Sequence, residues 1–209
     1  MTSLQTVREA SISAAYRSAW SAVSHLPLPA ATKVFNRIAD AAVARRGPAV
    51  VQLAKNLRRV LGDDATPESL HAVVQAAMRS YARYWLETFR VERMDLDEVA
   101  ERALAGSIGL ERITQAREEG RGILLALPHS GNWDIAGLSM CHVMGGITVV
   151  AERLRPESLF RRFVRLRENL GFEVLPLTDE SGAATNSGAI LRQRLEQGHL
   201  VGMLVDRSL

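Results

Sequence analysis

The stretch LALPHSGNWDIAG, Leu125 to Gly137, sets a histidine and an acid five residues apart, His129 and Asp134. Histidine takes up and returns protons near neutral pH, and an acidic neighbour fixes its tautomer and stabilises its charged form. Along one continuous helix, five residues would point the two side chains apart. Here an apolar run and Pro128 deliver His129, and a new apolar run starts just after Asp134, so the spacing spans a bend that can bring the side chains together. The same spacing also fits a loop histidine and an acid placed by the helix dipole. The location favours chemistry: the pair lies at the carboxyl end of a strand, beside Gly131 and Asn132, whose backbone amides could face a ligand.

The elements that position this pair follow from periodicity. Up to residue 119 the chain reads as helices. Ile12, Tyr16, Trp20 and Val23 recur at helical spacing, and LPLPA, Leu26 to Ala30, ends that helix. A second helix runs from about Ala31 to Ala44. A third, VVQLAKNLRRVLG, carries arginines toward its end and stops at Gly62. Thr66-Pro67 caps a long helix with Leu70, Val73, Val74, Ala77, Tyr81, Trp85 and Phe89 on its apolar side. Two shorter helices follow, near Asp95–Ala105 and Glu111–Glu119.

From Gly120 the pattern changes. GILLAL, ITVVA, FEVLPL and LVGMLV read as strands, separated by helices over about 134–144, 156–170 and 189–197. This predicts an α/β fold with a mainly parallel sheet flanked by helices and a helical N-terminal part. The division is residues 1–119, helical, and 120–209, the α/β core, together one structural domain. Ligands of such sheets collect beyond the carboxyl ends of the strands. Strand one ends at His129, strand two at Glu152 and Arg153, strand four at Asp206 and Arg207, so charged groups converge on one edge.

Bulk properties exclude several classes. The 209 residues, 47% hydrophobic and 23% charged, suit a core that needs no covalent staples and argue against disorder. A single cysteine, Cys141, excludes a disulfide framework and suggests a reducing compartment; beside His142 alone it makes no zinc site, and no metal is implied. The uncharged run Ile135–Ala151 is shorter than the ~20 residues of a spanning helix and is broken by Gly145-Gly146. The net charge of +3 is carried almost wholly by arginine, which suits phosphate groups but also reflects a G- and C-rich genome.

The segment LALPHSGNWDIAG resembles the H-x4-D block of bacterial membrane-lipid acyltransferases, which include the lipid A late acyltransferases and, more closely, the actinobacterial phosphatidylinositol mannoside acyltransferases. KNLRRVLG, SYARYWLETFR, VAERLRPESLFRRFVRLRENLGFEVLPL and LVDRSL resemble further blocks of the mannoside acyltransferases in the same order, from about residue 50 onward. The resemblance implies transfer of an acyl chain from acyl-CoA, a donor substrate rather than a cofactor, to a hydroxyl of a mannosylated phosphoinositide. It implies His129 as general base, Asp134 as the motif acid and Asp206 as a second acid paired with the histidine. Asp206 stands in VDR where the resembling chains have a glutamate in AER; the shorter arm, by about 1.5 Å, predicts a looser or water-bridged pair. Arg167 matches an arginine near the acyl donor, suited to a phosphate or carbonyl oxygen, and Glu152 lines the site.

The resemblance further implies a peripheral protein on the cytoplasmic face of the cell membrane, with acyl-CoA, a glycolipid acceptor and an anionic lipid surface as partners and no nucleic acid. The first helix, with Tyr16 and Trp20, fits an interfacial helix and equally a helix packed on the core. The cluster Arg161, Arg162, Arg165 and Arg167 suits anionic headgroups or CoA phosphates. The chain is about a third shorter than the proteins it resembles and reads as truncated, which leaves strand four as a sheet edge. Two other readings fit: a non-catalytic acyl-CoA- or lipid-binding homologue, and a phosphate-binding α/β domain in which Ser130 to Asn132 cradle an anion at a helix start.

Overall fold

The structure, a computed structural model, describes residue 18 and residues 20–206. It divides into two compact units, one over Ser18–Val91 and one from Glu92 onward. Tyr16 and Arg207 lie outside the described residues.

The first unit is helical. A helical segment through residue 25 is followed by α1 (Leu28–Arg45), α2 (Pro48–Leu61) and α3 (Pro67–Arg90). Prolines at the first turns of all three cost no hydrogen bond, because those amides have no helical partner. Thr66 closes a capping box at the start of α3 with Ser69. Helices α1 and α2 both pack on α3, with Val43, Val50 and Val74 at the centre of one cluster. Trp20 is buried, its ring 4.8 Å from that of Phe89, so this part of the first helix packs on protein rather than facing a lipid surface. Val74, Tyr84, Leu86 and Thr88 of α3 are buried, the last three on more than one side of the helix, while Tyr81, expected on the apolar side, is exposed.

The second unit carries α4 (Leu96–Ala105), α5 (Leu110–Glu118), β1 (Ile123–Leu127), α6 (Trp133–Met144), β2 (Ile147–Ala151), α7 (Glu157–Asn169), β3 (Phe172–Pro176), α8 (Ser187–Glu196) and β4 (Leu200–Leu204). The strands form one parallel sheet in the order β1-β4-β2-β3. The expected α/β class with a parallel sheet holds. Strand four does not form an edge: β4 lies between β1 and β2, because the chain crosses back to fill the gap between its first two strands.

Register assigns the faces. Leu127 pairs with Leu204, Leu125 and Val149 both with Gly202, and Ile147 with Phe172. With side chains alternating along each strand, Leu127, Leu204, Gly202, Val149, Ile147 and Phe172 share one face. Helix α6 covers that face, approaching so closely that a Cβ on Gly137 would stand 2.2 Å from Phe172 Cζ. On the other face Glu173 accepts hydrogen bonds from Thr148 and from Arg194 of α8.

Candidate active site

All four strands point the same way, so their carboxyl ends share one edge of the sheet. His129 follows β1 there, and Asp206 follows β4. Gly131, at φ +67°, turns the chain in a conformation that side-chain-bearing residues rarely adopt. Asn132 then caps α6, its side-chain oxygen accepting the Ile135 amide at 3.2 Å. The turn leaves Trp133 and Asp134 in the first turn of α6.

Asp206 holds His129 with both carboxylate oxygens. Oδ1 lies 2.6 Å from Nδ1 of the ring, and Oδ2 accepts the backbone N–H of His129 at 2.8 Å. The contact is direct, where the shorter acid led us to expect a looser or bridged one. Adjacency of β1 and β4 explains it: Leu127 and Leu204 are register partners, so both residues leave the sheet side by side, and the Val205 amide still bonds the Leu127 carbonyl at 2.9 Å. The two donated hydrogen bonds, the ring's first, hold the Asp206 carboxyl below its usual range. The Trp133 ring meets the imidazole edge-on, centroids 5.5 Å apart.

The buried Asp134 carboxylate accepts Arg167 Nε of α7 at 2.8 Å. The side chains are only 4% and 19% exposed, so Arg167 is not a solvated helix arginine. Asp134 and Arg167 thus form part of the wall of the site and link α6 to α7; the bend after β1 does not join His129 to Asp134 as the spacing suggested, because Arg167 takes Asp134 and Asp206 takes the imidazole.

Glu152 is exposed at the end of β2. Its neighbour Arg153 turns inward, with both terminal nitrogens engaged: Nη2 lies 2.7 Å from Glu157 and Nη1 donates to the Thr178 carbonyl. Its guanidinium also lies over the Phe160 ring at 4.9 Å. Arg161 pairs with Glu157 and Glu180. Arg161 and Arg167 are therefore matched by carboxylates, and the arginine cluster of α7 is not a uniform anion-binding patch.

Between the sheet and α6 lies a cavity of about 460 Å³, counting its open mouth. Its walls include Leu127, Gly202, Leu204 and Phe172 from the sheet, Trp133 and Gly137 from α6, and the Asp134–Arg167 pair. A mostly apolar chamber with one buried ion pair beside a histidine–carboxylate pair suits a substrate with a hydrocarbon part and a reacting carbonyl. Trp133, Gly137, Gly202 and Phe172 were not singled out from the sequence. The face alternation of β4 and β3 carries the signal for the last two, once their register is known.

The family profile of bacterial lipid A biosynthesis acyltransferases matches residues 2–209. A phosphatidylinositol mannoside acyltransferase of Mycolicibacterium smegmatis is 42% identical over 93% of this chain and 61% of its own length. One from Mycobacterium tuberculosis is 42% identical over 93% of this chain and 60% of its own. The chain thus spans about three fifths of the length of these curated relatives. On this match and this site, the chain belongs to the bacterial lipid A biosynthesis acyltransferase family.

Proposed function

We propose that this protein moves a fatty acyl chain from acyl-CoA to a hydroxyl of a glycolipid, with phosphatidylinositol mannoside as acceptor. The direct contact of Asp206 with His129 Nδ1, whose ring meets Trp133 of the wall of an apolar cavity, carries the reading. An ionised carboxylate only accepts hydrogen bonds, so Nδ1 bears the ring proton and Nε2 presents its lone pair. Nε2 takes the proton of the acceptor hydroxyl as its oxygen attacks the thioester carbonyl. The tetrahedral adduct collapses, the C–S bond breaks, and the proton passes from the imidazolium to the sulfur, giving an ester and CoA. Asp206 stabilises the imidazolium between these steps. Arg167, positioned by Asp134, serves the donor's carbonyl oxygen or phosphates, and Glu152 lines the rim.

A peripheral site at the cytoplasmic face of the cell membrane fits the helical unit. No helix of the described residues is long and apolar enough to cross a membrane. Helix α2 holds no acidic residue and exposes Lys55, Arg58 and Arg59 together with Val51 and Val60. Basic and apolar groups on one short helix suit an anionic lipid surface.

The test is an assay of free CoA and acylated lipid with palmitoyl-CoA, with and without phosphatidylinositol mannoside. Acceptor-dependent CoA release with a matching ester product is expected. Saturable acyl-CoA binding without turnover contradicts the reading and favours a non-catalytic binder.

A further inference from the structure

We infer that Trp133 is a positioning residue for His129: its indole is a second wall for the imidazole and, together with Asp206, keeps Nε2 aimed. The inference rests on the acyl-transfer reading and adds to it the group that aims its base.

One hydrogen bond does not aim a ring. The His129 side chain is 31% exposed, so the fold does not enclose it. Asp206 Oδ1 fixes the Nδ1 corner at 2.6 Å, while Oδ2 is taken by the backbone N–H and cannot grip the ring again. A hydrogen bond keeps its strength while its donor angle stays above about 150°, which leaves the imidazole about 30° of swing. A reacting site needs its groups held within about 10–20°. The swing carries Nε2, across the ring from Nδ1, through about 1 Å, and a misplacement of that size costs about 10²-fold in rate.

Trp133 removes that freedom. Its ring meets the imidazole edge-on at 76°, centroids 5.5 Å apart. Four residues separate the two in sequence, and Gly131, at φ +67°, turns the chain between them. The indole is itself held. Asn132 caps α6 on the Ile135 amide, and beside Trp133 the Asp134 carboxylate is tied to Arg167 at 2.8 Å, in a pair only 4% and 19% exposed. This ion pair pins the helix turn that carries the indole to α7. An indole has only two side-chain torsions, so a fixed backbone leaves its ring little freedom. The motif acid thus reaches the histidine through Trp133 rather than by contact.

Two substitutions separate aim from packing. Trp133→Leu keeps an apolar wall and removes the flat ring; Trp133→Phe keeps a flat ring at the same place. Trp133→Leu is expected to lower kcat about 10- to 10²-fold, with acyl-CoA affinity within about threefold of wild type. Trp133→Phe is expected to recover at least about a third of the wild-type kcat.

The experiment uses the full chain and both variants with palmitoyl-CoA and phosphatidylinositol mannoside. Steady-state kinetics of CoA release separate kcat from KM, and calorimetry reads acyl-CoA binding. NMR relaxation of the His129 ring, in isotope-labelled protein, reads its mobility without turnover. A ring that loosens in Trp133→Leu and stays rigid in Trp133→Phe is expected, in step with kcat. A loss confined to KM and acyl-CoA affinity makes Trp133 a substrate wall and overturns the positioning role. A ring equally rigid in all three proteins overturns it too. A ring that loosens in Trp133→Leu while none of the three releases CoA overturns the acyl-transfer reading and leaves the positioning role standing. Should Trp133→Leu fail to fold, Trp133→Met, which fills the space with a flexible chain, is read in its place by the same outcomes.

Discussion

Asp206 grips His129 at two points, its Oδ1 2.6 Å from the ring Nδ1 and its Oδ2 2.8 Å from the backbone nitrogen. Seventy-seven residues of chain separate them, and adjacency of two parallel strands brings them together. The grip orients the imidazole, selects its tautomer and keeps a negative charge where positive charge develops.

Asp206→Asn keeps the shape and removes the charge. It is expected to lower kcat about 10²-fold or more while KM changes little, because the lost stabilisation acts on the charged imidazole and not on substrate binding. Steady-state kinetics at neutral pH check this. The sign of the pH effect follows from the lowered pKa of Asp206, whose ordinary value is 3.8. Its carboxylate contribution is complete above that pH and is lost only as pH falls through the lower folded value. Activity changes above pH 5 are therefore expected to be the same in shape whether Asp206 is aspartate or, in Asp206→Glu, glutamate.

Asp134 and Arg167 form a pair that excludes most solvent. Removing one partner leaves an uncompensated buried charge, so Asp134→Asn and Arg167→Met are each expected to cost about 3 kcal/mol of stability. The double variant is expected to cost less than the sum of the two, by at least about 1 kcal/mol. Urea denaturation of the four proteins closes the cycle. Simple addition contradicts the pairing.

On the opposite face of the sheet, Arg194 grips Glu173 through two hydrogen bonds and Thr148 adds a third. These interactions, Arg194's first, bring the Glu173 carboxyl from 4.5 down to about 2. The stabilisation is fully present above pH 4.5 and fades as pH falls toward about 2. Solvent reaches this pair, so the effect is modest. Thermal melts of wild type and Glu173→Gln are expected to differ most above pH 4.5 and to converge near pH 2. A constant difference across that range contradicts the assignment.

Much of this architecture was legible from local signals. ITVVA matches β2 residue for residue, because a short apolar run between Gly146 and the charged Glu152 leaves little choice. Thr66-Pro67 marks the start of α3 through capping chemistry that local residues decide alone. The interior place of β4 was not legible, since strand order depends on contacts between distant segments. The same limit hid the Arg167 partner of Asp134, which sits 33 residues away on another helix. His129 itself stood out by type and setting, while its pairing with Asp206 came from resemblance and its closeness from strand register. Tyr81 was misplaced because one apolar side was read along all 24 residues, while the C-terminal part is buried at Tyr84, Leu86 and Thr88, on more than one side of the helix.

The account depends on the imidazole of His129 taking a proton from the acceptor. The most direct measurement is the rate of acceptor-dependent CoA release by His129→Ala, with acyl-CoA binding measured on the same sample. Loss of turnover with acyl-CoA affinity within about twofold of wild type is the expected result. Turnover at the wild-type rate would contradict the account.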